Sequence, residues 1–123
     1  MTDPRYTKLS KLLVQYSTGL KKGDRALVDA SDIPDEFTVE LVRAIRAAGA
    51  TPLVEIRHSR VVRELLRDTD QSHASLVRDV EMFRMKKMQA YFGIRGSYNA
   101  NENSDVASGK MSLYSKILRP VQN

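Results

Sequence analysis

Apolar positions recur along the chain with two periods, and the switches between them divide it into short elements. Tyr6, Leu9, Leu12, Leu13 and Tyr16 fall at helical spacing behind Pro4, so an amphipathic first helix follows, with Gly19 placed as its stop. "LKKGDR" reads as a tight turn with Gly23 free to take positive φ, and it feeds a short apolar strand over 25–29, "RALVD". In "SDIPDEF", Ser31 or Asp32 can cap the next helix, Pro34 suits its first turn, and Asp35 and Glu36 complement its positive end. Phe37, Leu41, Ile45 and Ala48 form the apolar stripe of that helix, Gly49 ends it, and "PLVEIR", 52–57, is a second strand. Strand, helix and strand in so short a span make a βαβ unit with parallel strands.

Val61, Val62, Leu65 and Leu66 mark a short helix. Ser72 can cap a longer one that carries Leu76, Val77, Val80, Phe83 and Met88. A third strand is expected over 90–94, "AYFGI", followed by a polar loop. Met111, Tyr114, Ile117 and Leu118 then give a last helical stripe ahead of Pro120. The expected order is αβαβααβα: one small three-layer α/β domain over 1–123, with a mainly parallel sheet and helices on both faces.

Composition narrows the class of protein. The 123 residues fit one domain, and no stretch approaches the roughly 20 apolar residues of a membrane span. "MTDPRYTKLSKLL" has no apolar core of a secretory signal, so no membrane role is expected and a cytoplasmic location is the default. The absence of cysteine removes disulfides, thiolate metal sites and cysteine nucleophiles together. The net charge of +5 is uneven, with residues 24–56 at −4 and residues 57–95 at +4. The nine basic residues of the latter block are interleaved with Glu64, Asp68, Asp70, Asp79 and Glu81, which describes a solvated helix face and not a nucleic-acid surface.

Tests for chemistry leave no complete active site. A dinucleotide fold needs a glycine-rich first crossover, whereas "DASDIPDEF" offers carboxylates that repel a phosphate. "GIRG" has two glycines and an arginine without the spacing of a phosphate loop. His58 and His73 stand 15 residues apart on different helices, and Asp32, Asp35 and Glu36 are accounted for by a helix start. Ser31, Ser97 and Ser104 lack the strand–turn elbow of a nucleophile, and Asp105, Ser108 and Lys110 read as the start of the final helix. Met82, Met85 and Met88, three apart, read as a helix edge packed on a core or on another domain.

Two segments carry a family resemblance. "KLLVQYSTGLKKGDRALVDAS", 11–31, and "GIRGSYNANENSDVASGKMSLYSKILRPV", 93–121, resemble the opening helix, "GL..GDR" turn and first strand, and the "IRG…N…SDV…KM" region, of the M29 family of metal-dependent aminopeptidases, the aminopeptidase T and S type. Order and spacing match in both; where family members often carry proline in the "SDV…KM" turn, Ala107, Ser108 and Gly109 leave the last helix start less preorganised. The resemblance covers the chain but only the front of those enzymes. It implies an α/β N-terminal domain joined to a C-terminal catalytic domain, a homodimer, and two divalent ions, zinc or cobalt, held beyond this chain. On that reading the chain is an inactive accessory domain, with no catalytic, cofactor or metal residue of its own. Its partners are then the missing catalytic domain and a peptide substrate.

The end, "ILRPVQN", has the look of a domain boundary. Arg95, Gly96, Ser97 and Asn99, expected in the loop after the third strand, are the residues placed to face the cleft or the catalytic domain. An alternative from another class is a free-standing, non-catalytic α/β binding or regulatory module that uses the basic 57–95 block or the polar loop.

Overall fold

A computed structural model describes residues 3–17, 19–97 and 110–118. Helix α1 (Pro4–Leu12) begins on Asp3, whose carboxylate accepts from the Arg5 N–H, and runs into a wider π turn over Leu13–Ser17. The i→i+5 turn shifts the stripe expected from a uniform helix: Val14 is buried with Leu13, while Leu12 is exposed. Strand β1 (Arg25–Ser31), helix α2 (Asp35–Ala47) and strand β2 (Thr51–Arg57) form the expected βαβ unit, with β1 and β2 parallel. Gly23 and Gly49, at φ +88° and +84°, make the two turns that bring β1 and β2 into register. They are also bonded to each other, Gly23 N–H to Gly49 C=O at 2.9 Å.

Helices α3 (Ser59–Leu66) and α4 (Gln71–Lys86) cross to β3 (Ala90–Ser97), which pairs with β1 in parallel. The final segment differs from expectation. Residues 110–117 form strand β4 (Lys110–Ile117), antiparallel to β3, and not a helix. Met111, Leu113 and Ile117, all at odd positions, pack against the core while Tyr114 is exposed, so a period of two fits the burial and a period of three to four does not. The outer edge of β3 needs a partner for its backbone groups, and β4 supplies it. The sheet order is β2-β1-β3-β4, mixed but mostly parallel, in an α/β domain.

One face of the sheet carries the core. Ala26, Val28, Ala30, Ala90, Phe92 and Ile94 meet Phe37, Leu41 and Ile45 of α2, with Leu13 and Val14 beside them. The Tyr6 and Phe37 rings lie 5.5 Å apart, and the Thr7 hydroxyl donates to Glu40 Oε1 at 2.9 Å, which ties α1 to α2. The opposite face is covered differently. Neither α3 nor α4 buries a residue; of the expected stripes, Val61, Leu65, Leu66, Leu76, Val77, Val80 and Phe83 are exposed, Val62 is half-buried, and Met88, just past α4, is buried. Ion pairs tie α4 to β2, Arg57 to Glu81 and Arg84 to Glu55.

Candidate functional site

Connections from β1 diverge: α2 leads to β2 on one side, while β3 lies on the other, so the switch point of the sheet is at the carboxyl ends of β1 and β3. Open α/β sheets bind ligands in the crevice at this place. Asp32 shapes it. At φ 55° it is the one non-glycine residue in the left-handed region among those described, a conformation that Asp tolerates better than most. Its N–H donates to Arg57 C=O at 3.2 Å, and its carboxylate accepts from the Ser59 N–H at 3.1 Å. Those bonds to Ser59, aided by nearby His58, hold the Asp32 carboxyl below the ordinary aspartate range.

Asp32 therefore caps α3, not α2 as the sequence suggested. The residue before α2 is Pro34, without a side-chain cap, while Ser31 is the last residue of β1. The cap of α4 is likewise Asp70, accepting from the His73 N–H at 2.8 Å, and not Ser72. Asx side chains reach the exposed N–H groups in both cases, which local composition alone did not decide.

Next to the switch point, the second face of the sheet carries a charge network. Arg57 Nε donates to Asp29 at 3.0 Å and its Nη2 to Glu81 at 3.1 Å, while Arg84 bonds both Glu55 and Glu81. Tyr91 donates its hydroxyl to the other oxygen of Asp29 at 3.0 Å. Burial first, and then the Asp29 carboxylate, push the Tyr91 phenol up to about 12. Burial works against the charge of Arg57, yet Asp29, Glu81 and Glu55 together hold its pKa above the ordinary value. Sequence reading missed this network, because "RALVD" and "PLVEIR" read as buried strands. The available signal was the charged residues at alternate positions, Asp29, Glu55 and Arg57, which a strand places on one face.

Two hollows adjoin this edge and share Asp29, Ser31 and Arg95. The smaller, about 300 Å³, lies over β3 and β4 between Tyr91, Gly93, Ser112 and Tyr114. The larger, about 1020 Å³, opens between the strand ends and α3, where Arg57, Val62, Arg63, Leu66 and Arg67 line it. A third hollow of about 520 Å³ separates α1 from α2; in it Thr7 and Arg43 both donate to Glu40, and Lys11 and Gln15 also line it.

The residues singled out in "GIRG" are placed as follows. Arg95, Gly96 and Ser97 continue β3 and are not in a loop, so the strand is longer than expected, and Asn99 lies outside the described residues. Arg95 and Gly96 line the larger hollow. The glycines serve packing. A Cβ at Gly96 would overlap the Asp32 carbonyl oxygen, and one at Gly93 would stand 2.9 Å from the Tyr91 ring, which packs edge-on against Tyr114. Ser31 faces the same hollows, Ser97 ends β3 opposite Lys110, and Ser104 lies outside the described residues.

No three His, Asp or Glu side chains converge to hold a cation among the described residues. The nearest cluster, Asp29, Glu55 and Glu81, is neutralised by Arg57 and Arg84, and His58 and His73 stand at the starts of different helices. The described residues thus do not fit a two-metal centre, and none of its chemistry is assigned to them. Nor is any described helix long and apolar enough to cross a membrane. No protein-family model matches the chain, and no curated protein sequence is significantly similar to it.

Proposed function

We propose that this chain is the N-terminal accessory domain of a cytoplasmic, homodimeric metal-dependent aminopeptidase, which removes N-terminal residues from peptides. The reading is carried by the two motif segments, 11–31 and 93–121, which stand in the order and spacing of that family. Their placement is consistent with a shared role. The first segment ends as β1 and the second begins in β3, so both arrive at the switch point. Two divalent ions, zinc or cobalt, would be held by the catalytic domain, where they activate water and polarise the scissile carbonyl. This domain contributes a wall of the cleft at the Arg95 edge. The exposed apolar residues of α3 and α4 supply a surface for the catalytic domain to cover.

Two measurements test the reading. The reading frame beyond Asn123 in the source gene should encode a segment with clustered Glu, His and Asp, and the longer product should hydrolyse aminoacyl-nitroanilides with cobalt or zinc. The 123-residue chain should not. A stop codon directly after Asn123, or metal-dependent turnover by the purified chain, would overturn it. The second reading, a free-standing binding module, is favoured by one observation: arginines from β2, α3 and β3 gather at the larger hollow. The stop codon would select it.

A further inference from the structure

The larger hollow has an unusual charge balance. Four arginines line it, Arg57, Arg63, Arg67 and Arg95, against two carboxylates, Asp29 and Asp32. The carboxylates are already committed, Asp29 to Arg57 and Tyr91, and Asp32 to the first N–H of α3. Arg57 is engaged by Asp29 and Glu81, and among the described residues Arg67 pairs with Glu64, at 3.5 Å on the exposed side of α3. Arg63 and Arg95 have no ion-pair partner among the described residues, and they come to one hollow from different elements, α3 and β3. Gly96 and the apolar side chains Val62 and Leu66 line the same hollow.

We infer that this hollow binds the C-terminal carboxylate of a small peptide-type ligand, held by Arg63 and Arg95, with an apolar side chain laid against Val62 and Leu66. A guanidinium presents two parallel N–H groups that match a planar carboxylate. A phosphate fits less well. The helix-start amide it would use, that of Ser59, is taken by Asp32, and the second negative charge would face Asp29 and Asp32. The volume of about 1020 Å³ is also at the upper end of small-ligand pockets, roughly 300–1,000 Å³, and so suits a peptide better than a lone ion. This inference goes beyond the accessory-domain reading and does not depend on it, since it concerns binding by this chain alone.

The test is an NMR titration of the full 123-residue chain with N-acetyl-leucine, N-acetyl-leucinamide and inorganic phosphate, following the arginine Nε–H signals. N-acetyl-leucine is not an aminopeptidase substrate, so the result is separable from the hydrolysis assays. Saturable shifts are expected at Arg63 and Arg95, and the amide, which lacks the charge, should bind at least about tenfold more weakly. Arg95→Gln and Arg63→Gln should each weaken N-acetyl-leucine by about tenfold, whereas Arg78→Gln, the same charge change on α4 away from the hollow, should not. Both target side chains are exposed and have no ion-pair partner among the described residues, so the variants should keep the native amide spectrum, which is checked first. Equal binding of the amide, tighter binding of phosphate, an equal loss in Arg78→Gln, or no saturable shift below roughly 20 mM would each overturn the inference.

Discussion

Replacing Gly96 with alanine tests how closely β3 runs past the turn between β1 and α2. The added methyl would overlap the Asp32 carbonyl oxygen and lie 3.1 Å from the Asp32 carbonyl carbon and 3.2 Å from Ile33 Cγ2. Comfortable carbon–carbon contacts are about 3.5–4.0 Å, so something must move by several tenths of an ångström or more. The strand cannot retreat easily, since Arg95 is paired with Ser31 of β1 and Gly96 with Met111 of β4. If the turn moves instead, Asp32 loses its bonds to Arg57 and Ser59. Overpacking costs about 1–3 kcal/mol, and loss of a helix cap adds about 1 kcal/mol, giving roughly 2–4 kcal/mol. For a domain of this size that lowers the melting temperature by roughly 10 °C. Thermal unfolding followed by circular dichroism measures it, with Gly93→Ala as the comparison, because there the methyl meets a Tyr91 ring that can turn aside. A Gly96→Ala protein melting within about 2 °C of the parent would refute the reasoning.

Three further outcomes are expected. The Tyr91 phenol, raised to about 12 by burial and by Asp29, lies above its unfolded value. Its stabilising effect is therefore complete below about pH 10 and lost as pH rises toward 12, so tyrosinate absorbance should show a late phase that Tyr91→Phe removes. At the acid end, the Thr7 hydroxyl and then Arg43 hold the Glu40 carboxyl below its ordinary value. Its contribution is present above about pH 4.5 and lost below, so Thr7→Val should raise the midpoint of acid unfolding and Glu40→Gln should flatten that limb. Finally, Val80→Glu and Phe83→Glu should reduce self-association and hydrophobic-dye binding of this chain without lowering its melting temperature, as read by analytical ultracentrifugation and dye fluorescence, because both side chains are exposed.

The legible parts of the fold were those in which local chemistry and long-range packing agree. Phe37, Leu41 and Ile45 at helical spacing behind Asp35 and Glu36 leave little choice but an amphipathic helix, and α2 lies there with all three side chains buried. β4 was not legible, because Met111, Leu113 and Ile117 satisfy a strand while Met111, Tyr114 and Leu118 satisfy a helix; the open edge of β3, a tertiary fact, decides between them. Arg95 and Gly96 were expected in a loop and lie in a strand, since β3 runs on to Ser97 under the pairing of β1 and β4. Alternate charges in β1 and β2 mark the face of the Asp29, Arg57 and Glu81 network, but its pairs, up to 52 positions apart, are set by strand register and the placement of α4.

The cap on α3 has a consequence for the order in which the chain assembles. Asp3 and Asp70 sit beside the helices they start, so α1 and α4 can form their first turns from local sequence. The carboxylate that starts α3 arrives from 27 residues away, and it is in place only once β1 and β2 are zipped and Asp32 is bonded to Arg57. An eight-residue helix that buries nothing cannot persist alone. Its amide protons should therefore exchange with solvent by the opening of the turn at Asp32, at a free energy well below that of global unfolding. One aspartate thus ties the start of the helix lining the larger hollow to the pairing of β1 and β2.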